Sequence, residues 1–292
     1  MNRQTRFRFP FLCVIFILVG YFLLCSQNKD AFNPAIGVCT SISNAALIRS
    51  HGFDYIEEGV QRFLVPLESD AVFHEKLQDS KACGLEISAC NSFLPGKLKC
   101  VGPDARHSDI LRYAETAFSR ARSGGVKIIV FGSGSSRRIP DGFSKEEAER
   151  QFISLLKKMG PIAGEFGIII AIEPLRRAET NFIQTVIEGL DIVQTVNHPN
   201  IRLLADFYHM MQEEEGPEAI LKAGDYLRHC HIAEKEKRTP PGNQGDDFRP
   251  YLRALKQIDY KGGISIECRW EDMESQLSGA IAELKRQIRS LE

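Results

Sequence analysis

Four short apolar runs in this chain each lead into a carboxylate or imidazole side chain: IAIEP (170–174), LLADFYH (203–209), LRHCH (227–231) and ISIE (264–267). The polar residues concerned are Glu173, Asp206, His231 and Glu267. If the runs are neighbouring parallel strands, their ends lie along one rim and these four side chains converge. Such a ligand set suits a divalent cation such as Mn²⁺, Mg²⁺ or Co²⁺. The sequence therefore predicts a single cation site shared by four strand ends.

The rest of the chain repeats the same alternation of short apolar runs and longer amphipathic stretches. The runs predict eight strands, over 35–39, 55–57, 85–90, 126–131, 168–172, 201–205, 227–232 and 263–267. The stretches between them predict helices over 45–51, 71–82, 107–123, 145–166, 181–196, 217–223 and 248–257. Eight strand–helix units in about 250 residues fit a (β/α)₈ barrel with a parallel eight-stranded sheet. A doubly wound sheet is disfavoured, because no Gly-x-Gly-x-x-Gly follows the first strand.

Composition sets the broad class of the protein. The 292 residues are 43% hydrophobic and 26% charged, with a net charge of −1, which suits one large globular domain with a full core. The near-neutral charge points to no nucleic-acid partner and to no anionic membrane surface.

The N-terminal segment differs from the remainder. Arg3, Arg6 and Arg8 precede an uninterrupted apolar stretch over 9–25, the pattern of a signal peptide or an uncleaved anchor within residues 1–30. Cys25 followed by Ser26 indicates a lipoprotein cysteine as one alternative. We therefore expect an exported protein, periplasmic or attached to the envelope through its N-terminus, with the barrel over residues 31–292.

The four predicted ligands also suggest a reaction. A bound cation would polarise a carbonyl and its neighbouring hydroxyl and so stabilise an enediolate. Glu173 and Glu267, in either order, would act as general base and general acid at the carbon alpha to that carbonyl. Returning the proton to the opposite face inverts a stereocentre, whereas returning it to the neighbouring carbon interconverts aldose and ketose.

Several motifs resemble those of the xylose isomerase-like TIM barrel superfamily. They are IEPL (172–175) with ETNF (179–182), DFYHM (206–210), HIAE (231–234) through Arg238 and PG (241–242), and IE (266–267). Within the superfamily the chain is most similar to the sugar isomerase/epimerase group, which includes ketose 3-epimerases and hydroxypyruvate isomerases. The resemblance covers roughly residues 35–285.

The resemblance implies roles for individual residues. Glu173, Asp206, His231 and Glu267 match the family's metal ligands, and the two glutamates match its acid/base pair. Glu179 and His209 match substrate-contacting positions, and Glu58 ends the second strand where the family often has an acid. The family's basic residue after the strand-seven histidine is Lys237 or Arg238, depending on the direction of counting; the guanidinium fork favours Arg238.

These observations predict a metal-dependent isomerase or epimerase of an unphosphorylated keto sugar, with homo-oligomerisation left open. Export argues against a phosphorylated substrate, and no phosphate-binding glycine loop follows strands seven and eight. One alternative is a lyase or dehydratase acting on an inosose or a 3-keto-glycoside through the same enediolate. A second is a non-catalytic, sugar-binding barrel of the envelope. A related three-metal nuclease is disfavoured, because the additional histidines that it needs after strands two to four are absent.

Overall fold

Eight parallel strands close into a barrel in chain order, in a computed structural model that describes Met1 and residues 32–291. Strand β1 pairs with both β2 and β8, which closes the sheet. The strands are β1 Ile36–Cys39, β2 Tyr55–Gly59, β3 Glu86–Asn91, β4 Ile128–Phe131, β5 Ile169–Ile172, β6 Ile201–Asp206, β7 Leu227–Ile232 and β8 Ile264–Ile266. The prediction of a (β/α)₈ barrel is confirmed.

Helices surround the strands and connect them. They are α1 Ala45–Ser50, α2 Val60–Phe63, α3 Asp70–Ala82, α4 His107–Ser123, α5 Gly134–Arg137, α6 Lys145–Phe166, α7 Val186–Val196, α8 Phe207–Gln212, α9 Glu218–Ala223, α10 Arg249–Gln257 and α11 Met273–Arg289. Short 3₁₀ turns occupy Ile42–Asn44 and Gly224–Tyr226.

A row of aromatic rings fills the layer between the sheet and the helices on one side. Phe131 of β4 packs edge-on against Phe93 and Phe152, and Phe152 in turn packs edge-on against Phe182. All four rings are buried. Since such contacts add to the free energy of burial, this row packs the segments after β3 and β5 against β4 and helix α6.

The helix predicted over 181–196 begins only at Val186. The side chain of Thr185 caps it by accepting a hydrogen bond from the main-chain N–H of Glu188. The side chain of Asn181 is bonded instead to the main chain of Ile139, and Ile183 has a left-handed φ of 61°. Residues 181–185 therefore form a loop that packs against the segment after β4.

The structure contains a terminal helix, α11, that was not among the predicted helices. Its buried residues include Leu277, Ile281, Leu284 and Ile288, which recur at helical spacing and form its inner face. Within the described part of the chain, no helix has the length and apolarity to cross a membrane. The predicted leader or anchor lies outside the described residues.

Candidate active site

The four predicted ligands meet at the carboxyl ends of strands β5 to β8. Asp206 ends β6, His231 lies in β7, and Glu173 and Glu267 directly follow β5 and β8. One candidate ligand atom from each lies within 4.8 Å of those of the other three. Nδ1 of His231 lies 3.2 Å from Oε1 of Glu173 and 3.0 Å from Oε2 of Glu267. The sequence pattern therefore identified residues that the fold does bring together.

A cavity of about 410 Å³ opens above this cluster. Glu173 and Glu267 both line it, together with the loops that follow β3 and β4. Its further lining residues include Gln61, Asn91, Ser133, Leu175, Glu179, His209 and Arg238. The walls combine polar groups with a few apolar side chains, as in a site for a small polar molecule.

Arg238 spans the mouth of the acidic cluster. Its Nη2 lies 3.0 Å from Oδ2 of Asp206 and 2.5 Å from Oε2 of Glu267, and its guanidinium stacks 4.7 Å above the ring of Tyr208. The two carboxylates raise the pKa of Arg238 although its burial acts in the opposite direction. Lys237, the other candidate, is exposed. The geometry thus places Arg238, and not Lys237, at the cavity.

The two glutamates differ in their electrostatic surroundings. Burial raises the pKa of Glu173, and Glu267 adds to that effect, although a hydrogen bond from His231 opposes it. Burial also acts to raise the pKa of Glu267, but His231 and Arg238 outweigh it and lower that pKa to about 2. For His231, burial lowers the pKa, but Glu57 and Glu267 outweigh it and raise the pKa well above 6.5. The cluster therefore holds its charges mainly through mutual compensation.

His209 lies in helix α8, three residues after Asp206. The carboxylate of Asp206 starts that helix by accepting a hydrogen bond from the main-chain N–H of Tyr208 at 2.8 Å. Nδ1 of His209 accepts a 3.4 Å hydrogen bond from the main-chain N–H of Arg176, which leaves the hydrogen on Nε2. Nε2 has no hydrogen-bond partner among the described residues and lies 3.4 Å from Oδ2 of Asp206.

Glu179 lines the cavity but does not belong to the four-residue cluster. Its carboxylate forms an ion pair with Arg176 at 2.8 Å, and both side chains remain partly exposed. The guanidinium of Arg176 also lies 5.1 Å above the ring of Tyr208. Both predicted substrate-contacting positions, Glu179 and His209, thus face the same cavity.

Glu58 lies elsewhere. Its Oε2 accepts a hydrogen bond from the main-chain N–H of Ile42, and its Oε1 accepts hydrogen bonds from Gly59 and Arg62. It is not among the residues that line the cavity. The structure therefore places Glu58 in contacts that fix the loop after β1 and the start of α2, and does not bring it to the other predicted site residues.

The neighbouring residue Glu57 was overlooked by the sequence reasoning. It is fully buried inside the barrel, where Oε1 accepts a 2.9 Å hydrogen bond from Nε2 of His231. The signal was present in the alternation of a strand: Tyr55, Glu57 and Gly59 point to one face and Glu58 to the other. Which face was internal depended on the closure of the barrel.

Two further groups near the acids were also overlooked. Nδ2 of Asn91 donates a 3.1 Å hydrogen bond to Oε1 of Glu267 from the end of β3. Arg137 is a fully buried guanidinium that donates to the main-chain carbonyls of Phe131 and Glu173, at 3.3 and 2.5 Å. Burial lowers the pKa of Arg137 to about 10, and its remaining positive charge opposes the negative charge of the cluster.

The chemistry of these donors fits a divalent cation. Three carboxylates and one imidazole, all close together and mostly buried, provide the oxygen and nitrogen ligands that Mn²⁺, Mg²⁺ or Co²⁺ accepts. So many buried acids are costly unless they are paired or bind a metal. Glu173, Asp206, His231 and Glu267 are therefore the residues that would hold such an ion.

Comparison with known proteins identifies the family to which the barrel belongs. The family model of the xylose isomerase-like TIM barrel matches residues 45–291. Because this match spans most of the sequence, the chain belongs to the xylose isomerase-like TIM barrel family.

Among curated proteins, the chain is 39% identical over 127 residues to the L-ribulose 3-epimerase of Methylomonas sp., a match of 43% of this chain and 44% of that relative. The chain thus matches less than half the length of that relative. A longer match, 24% identical over 260 residues, covers 82% of this chain and 88% of the inosose isomerase of Bacillus subtilis.

Solved structures show the same fold. A D-allulose 3-epimerase from Methylomonas sp. superposes with a TM-score of 0.72 at 26% identity, covering 88% of this chain and 99% of the other. A 3-keto-D-glucoside 4-epimerase from E. coli superposes with a TM-score of 0.75 at 21% identity, covering 87% and 100%.

Proposed function

We propose that this protein is a divalent-metal-dependent epimerase or isomerase that moves a proton on the carbon alpha to the carbonyl of an unphosphorylated keto sugar. The observation that carries the proposal is the placement of Glu173 and Glu267. They reach one cavity from β5 and β8, with His231 between them and Asp206 beside them.

The chain's own residues divide the work. The cation, when bound, would act as a Lewis acid toward the sugar carbonyl and its neighbouring hydroxyl. One glutamate removes the proton from the alpha carbon while the other returns a proton from the opposite side of the sugar. We propose that His209 and Arg238, which both line the cavity, donate hydrogen bonds to sugar oxygens.

Two observations support a substrate without phosphate. The guanidinium of Arg238 in the cavity forms ion pairs with Asp206 and Glu267, and Arg176 nearby forms an ion pair with Glu179. These positive charges are therefore already compensated by carboxylates of the protein. Similar proteins are named for ketoses and for a 3-keto-D-glucoside. We therefore propose free ketoses and 3-keto-glycosides as the substrate classes.

The proposed function is tested by incubating the Mn²⁺-loaded full-length chain with a panel of ketohexoses, ketopentoses, 3-keto-glycosides and inososes. Epimerised or isomerised products support the proposal. Loss of water or of the glycosidic group from the sugar would establish the lyase alternative instead. Binding of a sugar without turnover would establish a non-catalytic, sugar-binding barrel.

The two glutamates provide the matched variants. Glu173→Gln and Glu267→Gln remove proton transfer while keeping side-chain size, so each is expected to lower kcat by about 10²–10⁴-fold. Glu179→Gln is the control, because this residue lies outside the four-residue cluster and is expected to alter KM more than kcat. Unchanged turnover in both glutamine variants of the cluster would contradict the mechanism.

We also propose that residues 1–30 direct export or attach the protein to a membrane. The support is the basic and apolar pattern of the sequence. Fractionation of producing cells tests it: the chain should accompany the envelope or the periplasm, and a chain found only in the cytosol would refute export.

A further inference from the structure

A chain of buried hydrogen bonds runs through the barrel beneath the acidic cluster. It joins Tyr55, Ser265, Glu57 and the two histidines of β7, His229 and His231. All five side chains are less than 5% exposed. Burying polar groups in a barrel interior costs free energy unless they are fully paired. We therefore asked what this series of buried hydrogen bonds does.

Glu57 is the centre of the chain. Its Oε1 lies 2.9 Å from Nε2 of His231, and its Oε2 lies 2.7 Å from both Nε2 of His229 and Oγ of Ser265. Because an ionised carboxylate only accepts hydrogen bonds, all three partners must donate to it. The hydrogen of His231 on this side therefore sits on Nε2.

The other ring nitrogen of His231 then faces the acidic cluster. Nδ1 lies 3.2 Å from Glu173 and 3.0 Å from Glu267. With the hydrogen fixed on Nε2, the lone pair of a neutral His231 is on Nδ1, which is the state that a cation requires. Hydrogen bonds of this kind commonly fix the tautomer and orientation of metal-binding histidines.

We propose that Glu57 is a positioning residue, which holds His231 with its hydrogen on Nε2 so that Nδ1 can bind a divalent cation together with Glu173, Asp206 and Glu267. The inference rests on the cation site of the proposed function, but not on the identity of the sugar. Ser265 and His229 hold the Glu57 carboxylate in place through Oε2.

A different use of the same residues is a second cation site. Cys39, Glu57 and His231 also lie close enough to surround an ion. Both oxygens of Glu57, however, are occupied by His229, Ser265 and His231. The geometry favours the positioning role, and the number of cations bound per chain separates the two.

The test is a calorimetric titration of the full-length chain with Mn²⁺. The amide of Glu57→Gln can donate to His231 as well as accept, so it no longer fixes the hydrogen on Nε2. We expect Glu57→Gln to weaken Mn²⁺ binding by about 10–100-fold. Binding within about threefold of the parent protein, or two cations per chain that fall to one in the variant, would overturn the proposal.

Tyr55→Phe is the matched control. It removes the hydroxyl that lies 2.9 Å from Oγ of Ser265 in the same hydrogen-bond network. Both oxygens of Glu57 keep their partners. Mn²⁺ affinity should stay within about threefold of the parent protein. An equal loss in Tyr55→Phe and Glu57→Gln would show a general cost of disturbing the core and would refute a specific role for Glu57.

A measurement on the unaltered chain covers the case in which Glu57→Gln does not fold. Histidine nitrogen NMR with Zn²⁺ as a diamagnetic probe should show His231 with hydrogen on Nε2 and the ion on Nδ1. The opposite arrangement would refute the proposal. Both readouts concern binding, so a chain that binds Mn²⁺ as described but turns over no sugar would contradict the proposed function alone.

Discussion

The carboxylate of Glu173 fits into its position because the residue opposite it, Gly132, has no side chain. A Cβ at Gly132, in the loop after β4, would collide with Oε2 of Glu173. The carboxylate is thus held on one side by the main chain of that loop and on the other by His231 at 3.2 Å. Its position, and not only its chemistry, is set by neighbouring strands.

Gly132→Ala is therefore expected to push the Glu173 carboxylate out of place. Because small displacements of a catalytic group cost about 10²-fold in rate, kcat should fall by about that factor. Steady-state kinetics at saturating Mn²⁺ measures the effect. Gly279→Ala is the control: its added Cβ meets open space in helix α11 and should instead stabilise the fold by about 0.5–1 kcal/mol. Parental kcat in Gly132→Ala would contradict this account.

The ion pairs of the cluster make the stability of the metal-free chain depend on pH. The pKa of Glu267 is lowered to about 2 from 4.5, so its contribution is present above pH 4.5 and lost as pH falls toward 2. The pKa of His231 is raised from 6.5, so its contribution is complete below pH 6.5 and lost as pH rises through the raised value.

Urea unfolding in EDTA should consequently show greatest stability at about pH 5–6.5, with a decline on both sides. Glu267→Gln should make the loss of stability at low pH less steep, since no carboxyl remains at that position to be protonated. If the free energy of unfolding falls as steeply at low pH in Glu267→Gln as in the parent chain, other groups control that fall.

At the scale of elements, the loop after β7 is built around one buried carboxylate. Glu234 is fully buried and accepts hydrogen bonds from the hydroxyl of Thr239 at 3.0 Å and from the main-chain N–H groups of Gly242, Gln244 and Gly245. Arg238 lies within this loop with a left-handed φ of 56°, which is unfavourable for a residue with a side chain. The loop thus holds a strained residue against the cavity.

Glu234→Gln should loosen this loop. The neutral amide keeps the size of the side chain but presents a donor to main-chain donors, and hydrogen bonds to charged groups contribute about 1.5–3 kcal/mol. We expect faster amide hydrogen exchange over 235–247 and a raised KM. Asp246→Asn is the control. Asp246 lies in the same loop, and its carboxylate accepts an exposed hydrogen bond from the main-chain N–H of Lys235. Equal exchange rates in Glu234→Gln and the parent chain would contradict the role of Glu234.

The strands and loops differ in how well the sequence predicts their site residues. Strand ends at Glu173, Asp206 and Glu267 were predictable, because each ends an apolar run. Glu57 and Glu58 share the same local context, so only the closed barrel distinguishes the internal residue from the one that contacts Ile42 and Arg62. The position of Arg238 depends on contacts with Asp206 and Glu267, which lie at the ends of other strands and which no local pattern specifies.

At the scale of the molecule, the order of strands places the site. Strands β5 to β8 are consecutive neighbours in the sheet, so their four ligands need no distant segments to meet. In this fold the loops after the strands form the active-site face. The loops after β3 and β4 complete the cavity, and we propose that they select the substrate.

In the proposed function, Glu173 and Glu267 move a proton at the carbon next to a sugar carbonyl. The most direct test is turnover of a keto-sugar substrate by the Mn²⁺-loaded chain in D₂O, followed by NMR. We predict one deuterium bound at that carbon in the product, and no such exchange in a Glu173→Gln, Glu267→Gln double variant. Product formed without deuterium, or exchange retained in the double variant, would contradict the account.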